Sequence, residues 1–320
     1  YHSRLRENCL IFEMAKKKLP VSLKADKRIQ KIPGGVRVLS YAKLNLYLEI
    51  LDKRPDGCHN LETIFERISL ADEIVIKRAP GNSIRIETDS SDIPKGSENL
   101  VYQAAALLKK ELDISAGLVI RIKKRIPVGA GLGGGSSNAA STLLGLNYLW
   151  NLGLSAEELK EYASRLGSDV AFFVYNYPLA TGRARGEQIE PWSGFKKKLW
   201  HVIAVPQLNV STARIYRDLD KSREQTGNKK YFGSDKIKKA GLKKLKVRDI
   251  LFNRLEEVTF RRYPQVDRLK RDLEARGVIN VLMSGSGSAV FGIVESRKGG
   301  LRIAKILQRS KNLKVFVAET

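Results

Sequence analysis

One short stretch, PVGAGLGGGSSNAA at residues 127–140, constrains the fold more than any other part of this sequence. It contains five glycines, two serines and an asparagine, and then turns into alanine. The segment before it, LVIRIKKRI, alternates apolar and basic residues, which predicts a strand with one exposed face. The segment after it, residues 138–150, is apolar and predicts a helix. Glycine N–H groups and a helix N-terminus can both approach a phosphate closely, so this arrangement predicts an anion-binding loop.

The letters of the loop alone would also fit a dinucleotide site. Residues 129–134 match G-x-G-x-x-G, whereas the Gly-Lys-Ser/Thr ending of a P-loop is missing. A dinucleotide fold needs a buried parallel strand before the loop and an acid about twenty residues after it. Here the strand is basic on one face, and Glu157 and Glu158 fall at the start of a predicted helix, where Glu158 forms a capping box with Ser155. The context therefore disfavours a nicotinamide cofactor and favours a phosphate cradle of another design.

The rest of the pattern predicts an α+β protein. Residues 42–50, AKLNLYLEI, alternate with period two and predict a half-buried strand with Lys43 and Asn45 on its polar face. Residues 73–78 and 83–88 predict a hairpin around a Pro-Gly-Asn turn. Further helices are predicted at 99–112, 155 onward, 248–260 and 264–276, and further strands at 168–174, 200–206, 281–294 (two strands around a Gly/Ser loop) and 313–319.

The formal charge of +24 raises nucleic acid as a partner. Residues 1–32 carry nine basic and three acidic side chains, and residues 221–248 carry eleven and two, so these two segments hold most of the excess. Both are polar and largely lack aromatics, which favours solvated surface over a specific nucleic-acid site. The two cysteines, Cys9 and Cys58, have no metal or disulfide spacing, and no apolar run reaches the length of a membrane span. We therefore expect a cytoplasmic protein with no membrane partner.

Several motifs, in order along the chain, resemble those of the GHMP kinase superfamily, which includes galactokinase, homoserine kinase and mevalonate kinase. The glycine loop is similar to its ATP-binding motif, and residues 42–65 are similar to its first motif. LGSDVAFFV at 166–174, LFNRLEEVTFRRYP at 251–264 and LMSGSGSAVFG at 282–292 resemble later motifs.

The resemblance implies the two-domain GHMP kinase fold, with the active site in the cleft between the domains. Residues 33–190 would form an N-terminal domain similar to ribosomal protein S5, and residues 191–320 an α+β C-terminal domain. Residues 1–32 and 221–248 lie outside the resemblance, and we expect a weakly ordered, dispensable basic extension and a basic insertion there.

The ending GGGSSN and the turn DGCHN resemble one branch of the superfamily, whose substrate carries a cytidine group. This implies ATP- and Mg²⁺-dependent phosphorylation of the 2-hydroxyl of 4-diphosphocytidyl-2-C-methyl-D-erythritol, in the non-mevalonate route to isoprenoid precursors. By the same resemblance, Asp169 is the general base. Lys43 holds it ionised and polarises the hydroxyl or the γ-phosphate.

The resemblance also assigns the binding residues. The expected ATP-binding positions are Asn99, Lys124, Pro127, Gly129, Ala130, Gly131, Leu132, Gly133, Gly134, Gly135, Ser136, Ser137 and Asn138. Ser137 is the expected Mg²⁺ ligand. The expected substrate-binding positions are Asn45, Asp56, His59, Phe65, Thr212 and Tyr216. His59 is expected to hydrogen-bond the cytosine and Tyr216 to pack on it. Cys58 stands where the family usually has a tyrosine, and Ala171 where it usually has a proline.

Two alternatives remain open. Another GHMP kinase, of the homoserine or mevalonate type, would share the glycine loop but not the stretch DGCHNLETIF. A non-enzymatic RNA-binding protein would account for the basic charge, but it would have no use for both Lys43 and Asp169. The sequence does not predict the oligomeric state.

Overall fold

Two long strands, β2 (Gly35–Lys53) and β3 (His59–Ala79), each contribute residues to two compact units. The computed structural model describes residues 26–194, 198–226, 246–310 and 312–320. The first unit holds the described residues up to Tyr41, together with Ala71–Arg125 and Gly134–Asn176. The second holds Ala42–Leu70, Ile126–Gly133 and the described residues from Tyr177 onward. The domain boundary at residue 190 stays a prediction, because these units share strands instead of dividing at one point.

The sheet of the first unit contains the first part of β2 and the last part of β3, with β1 (Ile29–Ile32), β4 (Ile84–Thr88) and β5 (Gly117–Lys123). Strand β5 pairs antiparallel with β3 and parallel with β4. The hairpin predicted between residues 73–78 and 83–88 is therefore wrong, since β5 lies between those strands. Parallel strands need a crossover, and helix α1 (Leu100–Glu111), which confirms the predicted helix, supplies it between β4 and β5.

The described part of the first unit also contains the helices α2 (Gly134–Trp150), α3 (Ala156–Leu166) and α4 (Val170–Val174). Helix α2 begins four residues earlier than predicted and packs closely on its sheet, where a Cβ at Gly145 would lie 2.7 Å from Ile76 Cδ1. Helix α3 has the predicted capping box. The strand predicted at 168–174 is wrong, because a five-residue apolar run fits a buried helical turn equally well.

The second unit contains a four-stranded antiparallel sheet in the order β10 (Ile279–Met283), β11 (Val290–Val294), β8 (Trp200–Pro206), β12 (Leu313–Glu319). These strands were predicted and are confirmed. Both faces of β8 are buried: Val202 and Ala204 belong to one apolar cluster, and Ile203 and Val205 to another.

Within its described residues, the second unit also contains shorter strands and four helices. Strand β6 (Leu179–Arg183) pairs with β3 and with β7 (Gln188–Pro191), and β9 (Phe252–Asn253) pairs with β2. The helices are α5 (Thr212–Thr226), α6 (Glu256–Arg262), α7 (Pro264–Ala275) and α8 (Arg297–Leu307). The helix predicted at 248–260 is wrong before residue 256, where a 3₁₀ turn and β9 occupy the stretch, and it is confirmed from Glu256 onward, where α6 begins. No helix in the described part of the chain is long and apolar enough to cross a membrane.

The two basic segments differ from their predicted forms where they are described. Residues 1–25 lie outside the described residues, but Ile29–Ile32 form β1 and pair with the start of β2. Weak order is therefore wrong for these residues, because the glycine at 34, with φ of +71°, closes a tight turn between the strands. In the second segment, Lys221 and its neighbours continue helix α5, and residues 227–245 lie outside the described residues.

Candidate active site

A buried ammonium group lies on strand β2. Lys43 is 4% exposed, and its Nζ donates to Asn45 Oδ1 over 2.5 Å. The same Nζ lies 5.3 Å from the centroid of the Phe65 ring. Asn45 in turn donates from Nδ2 to Thr63 Oγ1 over 2.8 Å. The predicted strand is confirmed, but both of its faces are buried, so Lys43 is not a solvated strand lysine. A buried charge is costly unless it is paired or serves a function.

The first half of the glycine loop is bound to this strand through its backbone. The Lys43 N–H donates to Leu132 O over 3.0 Å, and Ser284 Oγ donates to Gly131 O over 3.0 Å. The glycines at 129, 131 and 133 all have positive φ. Gly131 has a φ of +76°, and a Cβ there would lie 2.1 Å from Ser284 O. Only glycine fits this position, because both the backbone conformation and the space exclude a side chain.

A second Gly/Ser loop, residues 284–289, lies against the first. Ala289 N donates to Ala130 O over 3.1 Å. Asn253 Nδ2 donates to Met283 O over 2.7 Å and to Gly285 O over 2.8 Å. Thr212, a predicted substrate residue at the start of α5, shares a 2.8 Å hydrogen bond with Ser286 Oγ. The two loops form one hydrogen-bonded layer with the Lys43 strand inside the second unit.

The second half of the glycine loop is the first turn of helix α2 in the first unit. Ser137 is 1% exposed, and its Oγ accepts from Ser40 Oγ over 2.8 Å. Asn138 Nδ2 donates to Ser40 Oγ over 2.8 Å and to Asp72 Oδ2 over 2.9 Å. The buried side chains of Ser40 and Asp72 thus fix the start of α2 through these hydrogen bonds.

Lys124, a predicted ATP contact, also reaches this network. Its Nζ is hydrogen-bonded to Asp72 Oδ2, and the Arg125 N–H donates to Asp72 Oδ1 over 2.7 Å. Burial lowers the pKa of Lys124, and the neighbouring Asp72 carboxylate only partly opposes that effect. Asn99 caps helix α1 by accepting from Val101 N over 2.8 Å. Roles for Lys124 and Asn99 in binding ATP stay predictions.

Asp169, the predicted general base, stands at the N-cap position of α4 without a side-chain capping bond and is half-buried. The other end of this short helix is held by Arg28, which is 6% exposed. Its guanidinium donates to Phe173 O over 2.6 Å and to Val174 O over 3.1 Å, and it forms a salt bridge with Asp26. The expected meeting of Asp169 with Lys43 stays a prediction.

The predicted nucleobase residues His59 and Tyr216 are neighbours in the second unit. Their ring centroids lie 5.2 Å apart with an interplanar angle of 45°. Between strands β2 and β3, Cys58 is exposed, and its N–H donates to Asp56 Oδ1 over 3.0 Å. That backbone bond and the nearby Arg54 lower the pKa of Asp56 despite its partial desolvation. Asp56 therefore shapes the turn, and a direct substrate contact from it stays a prediction.

Sequence reasoning missed four side chains: Arg28 and Asp72 in the first unit, and, in the second, Asn253 and Asp220, whose Oδ1 lies 2.7 Å from His59 Nε2. Asn253 lies inside the quoted stretch LFNRLEEVTFRRYP, which could have identified it. Asp72 and Asp220 have no local signal, because each meets its partner from a distant part of the chain. Arg28 was assigned to the extension on charge alone.

Comparisons with known proteins show which families and relatives this chain is similar to. Residues 99–177 match the family described as "GHMP kinases N terminal domain", and residues 241–312 match "GHMP kinases C terminal". A 4-diphosphocytidyl-2-C-methyl-D-erythritol kinase of Geobacillus kaustophilus is 44% identical over 262 residues, covering 79% of this chain and 86% of the relative. The protein of the same name from Listeria monocytogenes is 43% identical over 274 residues, covering 84% and 90%.

Solved structures give the same picture of the fold. A crystal structure of 4-(cytidine 5'-diphospho)-2C-methyl-D-erythritol kinase superposes with a TM-score of 0.71 at 33% identity, covering 89% of this chain and 99% of the other. A mevalonate kinase of L. major in complex with R-mevalonate has a TM-score of 0.69 at 17% identity, covering 95% and 98%. A likeness at such low identity reflects the shared fold alone.

Proposed function

This chain belongs to the GHMP kinase family and, within it, to the 4-diphosphocytidyl-2-C-methyl-D-erythritol kinases, and on that premise we propose that it phosphorylates 4-diphosphocytidyl-2-C-methyl-D-erythritol on its 2-hydroxyl. ATP is the phosphoryl donor. The predicted GHMP kinase fold is confirmed, and so is the assignment as a small-molecule kinase. The cytoplasmic location and the absence of a specific nucleic-acid partner stay predictions.

The observation that carries the proposal is the buried Lys43 ammonium beside the hydrogen-bonded glycine loop. Phosphoryl transfer asks a protein mainly to position its reactants and to stabilise the charge on the phosphoryl oxygens. Lys43 supplies a fixed positive charge, held by Asn45 and covered by Phe65. The loop supplies backbone groups at glycines whose positive φ a side chain would oppose. These two features together favour a kinase over a non-enzymatic RNA-binding protein.

In the proposed reaction, the 2-hydroxyl oxygen attacks the γ-phosphorus of ATP. A bond forms between these atoms, the bond from the γ-phosphorus to the β–γ bridging oxygen breaks, and ADP leaves with that electron pair. Asp169 accepts the hydroxyl proton, and Lys43 keeps the Asp169 carboxylate ionised and offsets the charge that develops on the phosphoryl group. Residues 129–138 hold the triphosphate through the loop and the start of α2.

We propose Mg²⁺ as the ion that would accompany the triphosphate. The described residues contain no cluster of three or more His, Cys, Asp or Glu side chains suited to a metal ion. In kinase sites, Mg²⁺ commonly keeps several waters and binds through phosphates and one or two protein oxygens. Ser137 Oγ, in the first turn of α2, is our proposed protein ligand. When bound, the ion neutralises phosphate charge; the positioning described above belongs to the protein.

The cytidine group is assigned to the His59 and Tyr216 pair, with Asn45, Phe65 and Thr212 toward the reacting end. The His59 and Tyr216 ring centroids lie 5.2 Å apart, so a polar imidazole and an aromatic phenol ring lie side by side. That combination suits a nucleobase, which needs a stacking partner and a hydrogen-bond partner. Homoserine and mevalonate lack a base, so these two rings would have no nucleobase to contact in either substrate.

Measurement of ATP turnover tests the proposal. The enzyme is assayed with 4-diphosphocytidyl-2-C-methyl-D-erythritol, homoserine and mevalonate in parallel, and the product is identified by ³¹P NMR. We expect ADP release and a new phosphomonoester only with the cytidine-linked substrate. Equal or better turnover of homoserine or mevalonate would contradict the proposal.

A further inference from the structure

Helix α5 brings a carboxylate to His59 that no sequence motif indicates. Asp220 Oδ1 lies 2.7 Å from Nε2 of His59, whose side chain is 5% exposed. The other oxygen, Oδ2, lies 2.8 Å from Lys53 Nζ. Burial alone would raise the pKa of Asp220, but hydrogen bonds from Lys53 and His59 outweigh it and hold the pKa below its ordinary value. Asp220 is therefore an anion at neutral pH and can only accept hydrogen bonds.

This contact fixes the position of the ring proton on His59. A neutral imidazole carries one N–H, and a hydrogen bond to a carboxylate at Nε2 requires that proton to be on Nε2. Nδ1 then presents a lone pair. Among the described residues, none forms a hydrogen bond with Nδ1 of His59.

We propose that Asp220 is a specificity-determining positioning residue, which makes His59 Nδ1 an acceptor for the exocyclic amino group of cytosine and thereby excludes uracil. Cytosine presents an amino donor at the position where uracil presents a carbonyl oxygen. A carbonyl there would face the Nδ1 lone pair, and neither group could donate. A site built to bond a substrate N–H rejects an analogue without it far more strongly than an apolar pocket rejects a missing methylene. This inference rests on the proposed function, in which His59 contacts the base.

The experiment compares cytidine-linked and uridine-linked forms of the substrate. For the wild type we expect a cytidine preference in kcat/KM of about 10⁴, the range for a site that requires a substrate N–H. Asp220→Asn keeps the size of the side chain but can either donate to or accept from Nε2, so both tautomers of His59 become accessible. The preference should fall by at least about a hundredfold, mainly through KM, while KM for ATP stays unchanged.

Asp218→Asn is the matched control, since Asp218 lies on the same helix but pairs with Arg262. We expect it to keep the wild-type preference. An unchanged preference in Asp220→Asn, or an equal loss in Asp218→Asn, would overturn the inference while leaving the proposed function intact. Failure of the wild type to turn over the cytidine-linked substrate would overturn the proposed function, and the inference with it.

A second measurement needs no substrate. The chain has three histidines, so ¹⁵N NMR of the imidazole nitrogens can be assigned with single His→Gln variants. In the wild type, His59 should be protonated on Nε2 with a bare Nδ1, and Asp220→Asn should show a mixture of tautomers. A wild-type His59 protonated on Nδ1 would overturn the inference directly.

Discussion

Lys43 and Asp169 lead to the sharpest prediction at the scale of single residues. We expect Lys43→Met and Asp169→Asn each to lower kcat by about 10²–10⁴, the usual range for general acid–base assistance, while ATP still binds. The double variant should lose far less than the product of the two effects, because the residues act as a unit. Steady-state kinetics and equilibrium ATP titration provide the measurements.

Lys123→Met is the control for the lysine variant, since Lys123 is exposed at the end of β5. It should leave kcat unchanged. Near-normal turnover in both Lys43→Met and Asp169→Asn would contradict the assigned roles. Strictly multiplicative losses in the double variant would contradict their joint action on one hydroxyl.

Single residues were predictable from sequence where a motif carried them. Lys43, Asn45 and His59 lie in the motif of residues 42–65, and the structure places each in a buried polar contact. Asp220 could not be found in this way, because its partner His59 lies 161 residues away along the chain. Counting charges placed Arg28 in a solvated segment, because a basic residue among other basic residues gives no sign in the sequence that it is buried.

At the scale of elements, the glycine loop depends on close backbone approach as well as on φ. Gly131→Ala should destabilise the enzyme and raise KM for ATP, because the new Cβ would overlap Ser284 O. Gly277→Ala is a matched control, with a φ of +78° but no atom within 4 Å of the added Cβ. Gly277→Ala should cost only about 1–2 kcal/mol, the penalty for a left-handed alanine. Chemical unfolding and ATP kinetics measure both effects, and equal losses would exclude a steric role for the loop contact.

Helix α6 offers a pH-dependent test of how the second loop is held. Glu256 Oε1 accepts from Met283 N over 2.8 Å, just before that loop. Burial raises the pKa of Glu256 above its ordinary 4.5, although Lys270 and the Met283 N–H oppose the rise. A raised pKa in the folded state means that the stabilisation from this group is complete below 4.5 and is lost as pH rises through the folded value.

We therefore expect the unfolding free energy of the wild type, relative to Glu256→Gln, to fall as pH rises from below 4.5 toward neutrality. Urea unfolding at a series of pH values gives this difference. Glu257→Gln, at the neighbouring and more exposed position, is the control. A difference that rises with pH would mean that the Lys270 salt bridge, and not burial, dominates the environment of Glu256.

Elements were predictable when their period was long and clear. The strands β5 and β12 and the capped helix α3 match the sequence pattern closely, and β2 forms where it was predicted although both of its faces are buried. The five apolar residues of α4 are too few to show a period, and tertiary burial decides their conformation. The turn between β3 and β4 was recognised, but its chemistry could not reveal that β5 lies between those strands.

At the scale of the whole molecule, topology was the part that local pattern could not supply. Strands β2 and β3 are 19 and 21 residues long and contribute to both compact units, so no linker marks a boundary in the sequence. The resemblance to GHMP kinases supplied the fold class that periodicity could not. The charge of the whole chain, by contrast, indicated nothing about the fold, since charge bears on solubility and partners.

The last prediction concerns the N-terminal region, where the basic residue Arg28 holds the end of helix α4. Removal of residues 1–25 should leave kcat/KM within about threefold, since these residues lie outside every motif and exposed charges contribute little. Removal of residues 1–30 also deletes Asp26, Arg28 and half of β1. The carbonyls of Phe173 and Val174 then lose their buried donor, at about 1–3 kcal/mol for each unsatisfied group. Helix α4 should loosen, and with it the position of Asp169.

The substitution Arg28→Met in the untruncated chain removes the Arg28 contacts alone, which separates their effect from the loss of residues 1–30. It should destabilise by about 3–5 kcal/mol, the cost of breaking a buried ion pair, and lower kcat more than it changes KM for ATP. Arg37→Met, whose side chain is 42% exposed on the neighbouring strand, should do neither. Thermal unfolding and steady-state kinetics measure both effects. If removal of residues 1–30 is as harmless as removal of residues 1–25, then Arg28 does not hold α4 in solution, and support for Asp169 must come from the rest of the first unit.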